Sequence, residues 1–165
     1  MTLTRKLTAL EKKWCLKALL DAEVARPDIC ERAVEKTLLI STLPQPYKLH
    51  GPRSLIAHIA LSQRAVGITL GRKVYITSRL FDEDGGLPLS LVIHEVTHVA
   101  QYFRDGHLGF LARYLKHYAQ GLARGLKDHE AYLAIPHEVE ARRVEDYLKQ
   151  HIHDRELAQV RTLYH

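Results

Sequence analysis

LPLSLVIHEVTHVAQYF, Leu87 to Phe103, is the stretch from which the rest of the chain is read. Apolar residues stand at 87, 89, 91, 92, 93, 96, 99, 100 and 103, which predicts a largely buried helix. Gly85 and Gly86 end whatever precedes it, and Pro88 suits a first turn. His94 and His98, four residues apart, share one face of that helix, and Glu95 stands beside the face. Two imidazoles so placed can hold one metal ion, with the carboxylate in reach of a water on it. Zinc suits imidazole and the spacing matches the metalloprotease pattern. A charge in such apolar surroundings is costly unless paired, and a bound cation removes the difficulty. The competing reading is a pair of structural histidines satisfied by hydrogen bonds.

Two histidines leave a catalytic zinc site one protein ligand short. The candidates downstream are His129, Glu130, His137, Glu138, Glu140 and Glu145. From Pro136 to about His151 the chain predicts a helix with Ala141, Val144 and Leu148 as its apolar stripe. On a wheel of about 100° per residue, Glu138 and Glu145 flank that stripe, His137 points into it and Glu140 lies on its other edge. Pattern leaves the choice open. Glu138 is preferred because it begins the helix, where backbone N–H groups favour an anion, with His137 second and Glu140 third. Tyr132, His129 and His137 are candidate donors to the oxyanion that peptide hydrolysis creates. Gln101, one turn beyond His98, is a candidate support for that imidazole.

Upstream, Thr8 to Ala25 reads as an amphipathic helix opened by a Thr8/Glu11 capping box, and about Asp28 to Ile40 as a second helix. Three prolines in STLPQPYKLHGP mark a loop, and Ser54 to Gln63 is ambiguous, with a short helix as one reading. AVGITL, Gly71 and RKVYITS predict a twisted hairpin, with Val74-Tyr75-Ile76 as an exposed edge beside the cleft to which an extended peptide adds. Phe81 to Gly86 is an acidic, solvated loop. Leu108 to Leu122 predicts a helix with an aromatic stripe, and the last fifteen or so residues a short helix or loose tail. The fold class expected is α+β, mostly helical, with a small antiparallel hairpin or sheet beside the histidine helix.

At 165 residues and 18.9 kDa the chain fits one domain, 1–165, with a helical N-terminal part at 1–50 and a catalytic core at 60–150. No apolar run approaches a membrane span, and MTLTRKLTALEKK lacks the core and cleavage site of a signal peptide. The expectation is synthesis in the cytoplasm, with delivery by a specialised secretion machine as the open alternative. Cys15 lies on an apolar stripe, so a disulfide framework has little support. A net charge of +5 raises the question of nucleic acid. Acidic residues mixed in nearly everywhere along the chain, and the lack of any long Lys/Arg block, argue against it.

HExxH followed by Glu138-x-x-Ala141 resembles the gluzincin metallopeptidases, whose third ligand opens a Glu-x-x-Ala-Asp motif; Arg142 stands where those enzymes have aspartate. ITLGRKVYI at 68–76 with HEVTHVAQ at 94–101 more closely resembles the small DUF4157 domains of bacterial toxins and extracellular contractile injection systems. The likeness covers about residues 60–105 well and 136–148 loosely; residues 1–50 lie outside it. It implies a zincin-like fold, zinc on His94, His98 and Glu138, Glu95 as general base, a protein or peptide substrate, and a toxin or secretion-system partner. Its alternative is a catalytically inactive structural or delivery module. The metzincin continuation is excluded, since Gln101 and Arg104 stand where glycine and histidine are needed and Met1 is the one methionine.

Overall fold

A computed structural model of the chain describes residues 1–151. In order it forms β1 (Thr4–Lys6), α1 (Ala9–Asp21), α2 (Pro27–Lys36), β2 (Leu38–Ile40), α3 (Pro52–Ser62), β3 (Gly67–Leu70), β4 (Lys73–Ile76), α4 (Leu89–Asp105), α5 (His107–Ala123), α6 (Asp128–Leu133) and α7 (Pro136–His151). The expected terminal tail lies outside the described residues. The architecture is α+β and mostly helical, with one small open sheet. No helix among the described residues is long and apolar enough to cross a membrane.

The sheet has the order β1-β2-β4-β3. β1 and β2 are antiparallel, β2 and β4 parallel, β4 and β3 antiparallel. The hairpin forms as the sequence predicts, with Leu70 opposite Lys73 across a Gly71-Arg72 turn. Gly71 takes φ +67°, as the first position of such a turn requires. Two expectations fail here. Leu38 to Ile40, read as the end of a helix, is a strand, because α2 stops at Lys36 and Leu39 is needed in the sheet beside Val74. And β4 is interior, with β3 at the edge, so Val74 is fully buried rather than offered to a peptide. The N-terminal 50 residues are therefore not only helical; they supply half the strands of the sheet.

α1 starts on the expected capping box, the Thr8 hydroxyl accepting from Glu11 N–H and the Glu11 carboxylate from Thr8 N–H. Glu11 is fully buried and takes a two-point bond from Arg5 at 2.7 and 2.8 Å, which ties β1 to α1. Two cores result. In the first, α1, α2, α4 and α7 meet the sheet through Leu19, Val92, Ile93, Val96, Val99, Val144, Leu39, Val74 and Ile76. Cys15 and Cys30 are buried there as free thiols, and burial first, then nearby Glu11, raises the Cys15 pKa. In the second, Ile56 and Ala60 of α3 and Ile68 and Leu70 of β3 meet Tyr102, Phe110, Leu111, Tyr114 and Ile135.

Candidate metal centre

α4 is the wall that carries the site. It is 17 residues long, begins just after Pro88, and buries nearly every side chain of its middle turns. His94 and His98 leave the same face, their ring centroids 5.0 Å apart. α7 packs alongside and delivers Glu138 from its first turn. Its carboxylate spans the two imidazoles, with Oε2 3.4 Å from His94 Nε2 and Oε1 3.4 Å from His98 Nε2. Ligand atoms about 2.0–2.1 Å from a tetrahedral zinc stand about 3.3 Å from one another. One ligand atom from each of the three residues falls within 4.8 Å of the others. The set fits a divalent ion.

The far nitrogens of the rings support that fit. His94 Nδ1 lies 3.3 Å from Glu145 Oε2 and His98 Nδ1 2.8 Å from Gln101 Oε1. An imidazole donating from Nδ1 to such an acceptor presents the lone pair of Nε2, the arrangement that metal-ligating histidines use. Gln101 is held in turn by donating to the His137 carbonyl at 3.0 Å and to Glu140 Oε2 at 2.8 Å. Electrostatics point the same way. Burial disfavours imidazolium at His94, but the bonds to Glu138 and Glu145 outweigh it and push its pKa up to about 10. Burial likewise opposes charge on His98, and Glu138 overcomes it. Glu138 is buried too, yet the two imidazoles hold its pKa well below the usual carboxylate range. The three groups together demand positive charge, as protons or as a cation.

Glu95 is buried in the same cavity. The Thr69 hydroxyl donates to its Oε2 at 2.6 Å. Gly67 leaves the room, since a Cβ there would meet Glu95 Oε1 at 2.4 Å. Tyr114 donates to Glu138 Oε1 at 2.7 Å. Tyr132 lines the cavity beside Tyr114 and Glu138, and burial first, then Glu138, raises its pKa, so the phenol keeps its proton. Tyr114 belongs to the aromatic stripe expected over Leu108 to Leu122 and Gly67 to the expected hairpin, and neither stood among the sequence candidates for the site. The one available signal was a glycine opening the first strand of the hairpin that precedes the histidine helix.

The remaining candidates go elsewhere. His137 does not line the cavity, because one residue from Glu138 is about 100° around the helix. Its Nε2 lies 2.9 Å from Asp105 Oδ2 and its ring stands edge-on to Phe110 at 4.6 Å. Glu140 pairs with Arg104 at 2.9 Å. His129 is exposed and meets Gln63 at 2.9 Å, and Glu130 accepts from Lys127 N–H.

The chain matches no protein-family model, no curated protein and no solved structure. The cavity holds about 30 Å³ of free space, room for one or two water-sized groups. Ile56 and Ala60 of α3, Phe110 and Tyr114 of α5 and Tyr132 of α6 close it on the side away from α4. Gln63, just past α3, bonds both Asp128 and His129 at the start of α6. Along the cavity floor runs β3. Thr77 N–H donates to Val66 O, so by antiparallel alternation Gly67 and Thr69 turn their backbone groups to the free edge.

Proposed function

We propose that the protein is a zinc-dependent endopeptidase in which His94, His98 and Glu138 hold the metal and Glu95 is the general base. The observation that carries the reading is a buried carboxylate, Glu95, held by Thr69 in the cavity where the triad converges. Zinc, when bound, lowers the pKa of water and polarises a carbonyl. Glu95 would accept the proton of the attacking water and return it to the leaving amine. Thr69 aims the carboxylate; Gly67 leaves the space in which it moves. Tyr132 supplies a hydrogen bond to the oxyanion, its raised pKa keeping it a donor. Tyr114 holds one oxygen of Glu138 and thereby the direction of the ligand. The substrate lies extended along β3, whose outer edge has no strand partner and, buried in the closed form, is reached when α3 moves aside.

The likeness to DUF4157 domains supports a role in a toxin or injection system, and that part of the reading rests on the likeness alone. The closed cavity favours a second reading, an inactive structural or delivery module that still binds metal. One set of proteins separates them: wild type, Glu95→Gln, His94→Ala and Glu138→Ala, each measured for zinc content and for hydrolysis of an unfolded protein. The peptidase reading expects zinc in the first two and hydrolysis only in the first. Stoichiometric zinc with no hydrolysis by wild type selects the module, and no zinc in wild type ends both.

A further inference from the structure

The charge of the chain is distributed unevenly. Positions 36–81 hold seven Lys or Arg and no Asp or Glu, and positions 106–127 hold four and none. Those two stretches build α3, the β3–β4 hairpin and α5, which wall the metal cavity opposite α4. The expectation that acidic residues are mixed in nearly everywhere fails for these two stretches.

Several of the cations gather at one end of β3. Leu38 N–H donates to Arg72 O at 3.0 Å, which sets Lys36 near Arg72 and Lys73. The His107 ring lies 3.6 Å from where a Cβ on Gly71 would be, and the charge of Arg53 acts on both His107 and Tyr102. Tyr102 reaches the cavity wall directly, stacking on Phe110 at 3.8 Å and donating to Thr69 O. Lys36, Arg53, Arg72 and Lys73 are exposed, and none forms an ion pair among the described residues. The nearest carboxylate in sequence to His107, Asp105, is engaged by Arg104, Arg113 and His137. His107 Nε2 is buried there without a partner.

We infer that this face docks an acidic polypeptide, holding carboxylates of the substrate at the Gly71 end of β3 while the metal centre works at the Gly67 end; the inference rests on the peptidase reading. Unpaired cations cost stability through mutual repulsion and are relieved by an anionic partner. A peptide is favoured over other polyanions because the cluster stands at one end of β3, whose outer edge has no strand partner and, buried in the closed form, is opened to an extended chain when α3 moves aside. Nucleic acid would look for exposed aromatic faces, and the acid-free stretches expose one large aromatic, Tyr47. From Gly67 to Gly71 the strand rises about 13 Å, so the acidic positions fall about three to five residues from the scissile bond, on one side of it.

The test has two arms, both run on the full chain loaded with zinc. In the first, wild type and the triple variant Arg53→Glu/Arg72→Glu/Lys73→Glu digest a peptide mixture whose cut sites are read by mass spectrometry. The proposal expects Asp and Glu enriched three to five residues to one side of the cuts made by wild type and that enrichment lost in the variant. A cut-site profile without acidic enrichment overturns it. The second arm needs no catalysis. Glu95→Gln is titrated with polyglutamate, a single-stranded oligonucleotide and anionic phospholipid vesicles, beside the same protein carrying the triple change and beside a control of equal charge, Lys6→Glu/Lys13→Glu/Arg32→Glu. Polyglutamate should bind most tightly of the three and lose about tenfold or more through the triple change but not through the control, following the charge lost. Tighter binding of oligonucleotide or vesicles, or equal loss through the control, overturns the proposal. If nothing is cut while polyglutamate binding follows the expected pattern, the peptidase reading has failed and the acidic-partner surface stands.

Discussion

A methyl group on residue 67 would sit 2.4 Å from Glu95 Oε1, so Gly67→Ala displaces the carboxylate rather than the backbone. The expected result is a large loss of hydrolysis with zinc content unchanged and a stability cost of about 1–3 kcal/mol, since a buried carboxylate must give up its place. Thr69→Val removes the 2.6 Å bond to Glu95 while keeping the shape. A hydrogen bond to a charged group contributes about 1.5–3 kcal/mol, so kcat/KM should fall about 10- to 100-fold if the bond is fully used in the reaction. Loss of zinc in either variant would place these residues in metal binding instead. Away from the cavity, Asp105 receives bonds from Arg104, Arg113 and His137. Burial raises its pKa, but the bonds from Arg104 and His137 outweigh that and hold it below the usual value. A depressed folded pKa means stabilisation that is complete above the unfolded value, about 3.9, and lost as pH falls through the folded one. Asp105→Asn should cost about 1–3 kcal/mol at pH 7 by denaturant titration. Its deficit should shrink below about pH 4.

α3 has the form of a cover. It is preceded by the proline-rich loop and by Gly51 at φ +61°, and followed by Arg64 at φ +58°, so both its ends turn in the left-handed region. Ile56 and Ala60 close the cavity, while the polar bonds from Gln63 to Asp128 and His129 are exposed. A peptide needs far more room than the cavity offers, so turnover requires α3 to part from α6. Gln63→Ala should therefore raise kcat/KM by a few-fold, because exposed hydrogen bonds contribute about 0.5–1.5 kcal/mol, and should leave zinc affinity alone. An unchanged or lowered rate would show that α3 does not gate entry. Most helices were legible from apolar spacing and caps: Thr8/Glu11, Pro88 and Pro136 all stand where a helix begins. The strands of residues 4–6 and 38–40 were not. Three residues are too few for a period to show, and Leu38-Leu39-Ile40 extends a helical apolar pattern as readily as it forms a strand.

Across the molecule the candidate metal centre joins distant parts of the chain. Its three candidate ligands come from α4 and α7, Glu95 is held by β3, and its walls come from α3, α5 and α6. An ion bound only by the folded chain stabilises it by RT ln(1 + [L]/Kd), about 4 kcal/mol at a thousandfold excess over Kd. Thermal denaturation of wild type should thus shift upward with added zinc and downward with a chelator, while His94→Ala and Glu138→Ala respond to neither. Equal shifts in all three proteins would place the binding site elsewhere.

HEVTH on a buried helix, with a later helix opening on Glu138, is local information: period and caps act between neighbours, so the sequence by itself determined the two helices that carry the candidate ligands and the residue types they offer. Glu138, His137 and Glu140 lie within one turn of each other, and nothing local ranks them. The packing of α7 on α4 decided for Glu138, by setting it against both imidazoles while His137 met Asp105 and Glu140 met Arg104. Tertiary structure also decided which strand is the edge, and that the acid-free stretches meet at the cavity. Neither depends on the spacing of residues within an element; both depend on which elements become neighbours, and that follows from burying two apolar cores at once.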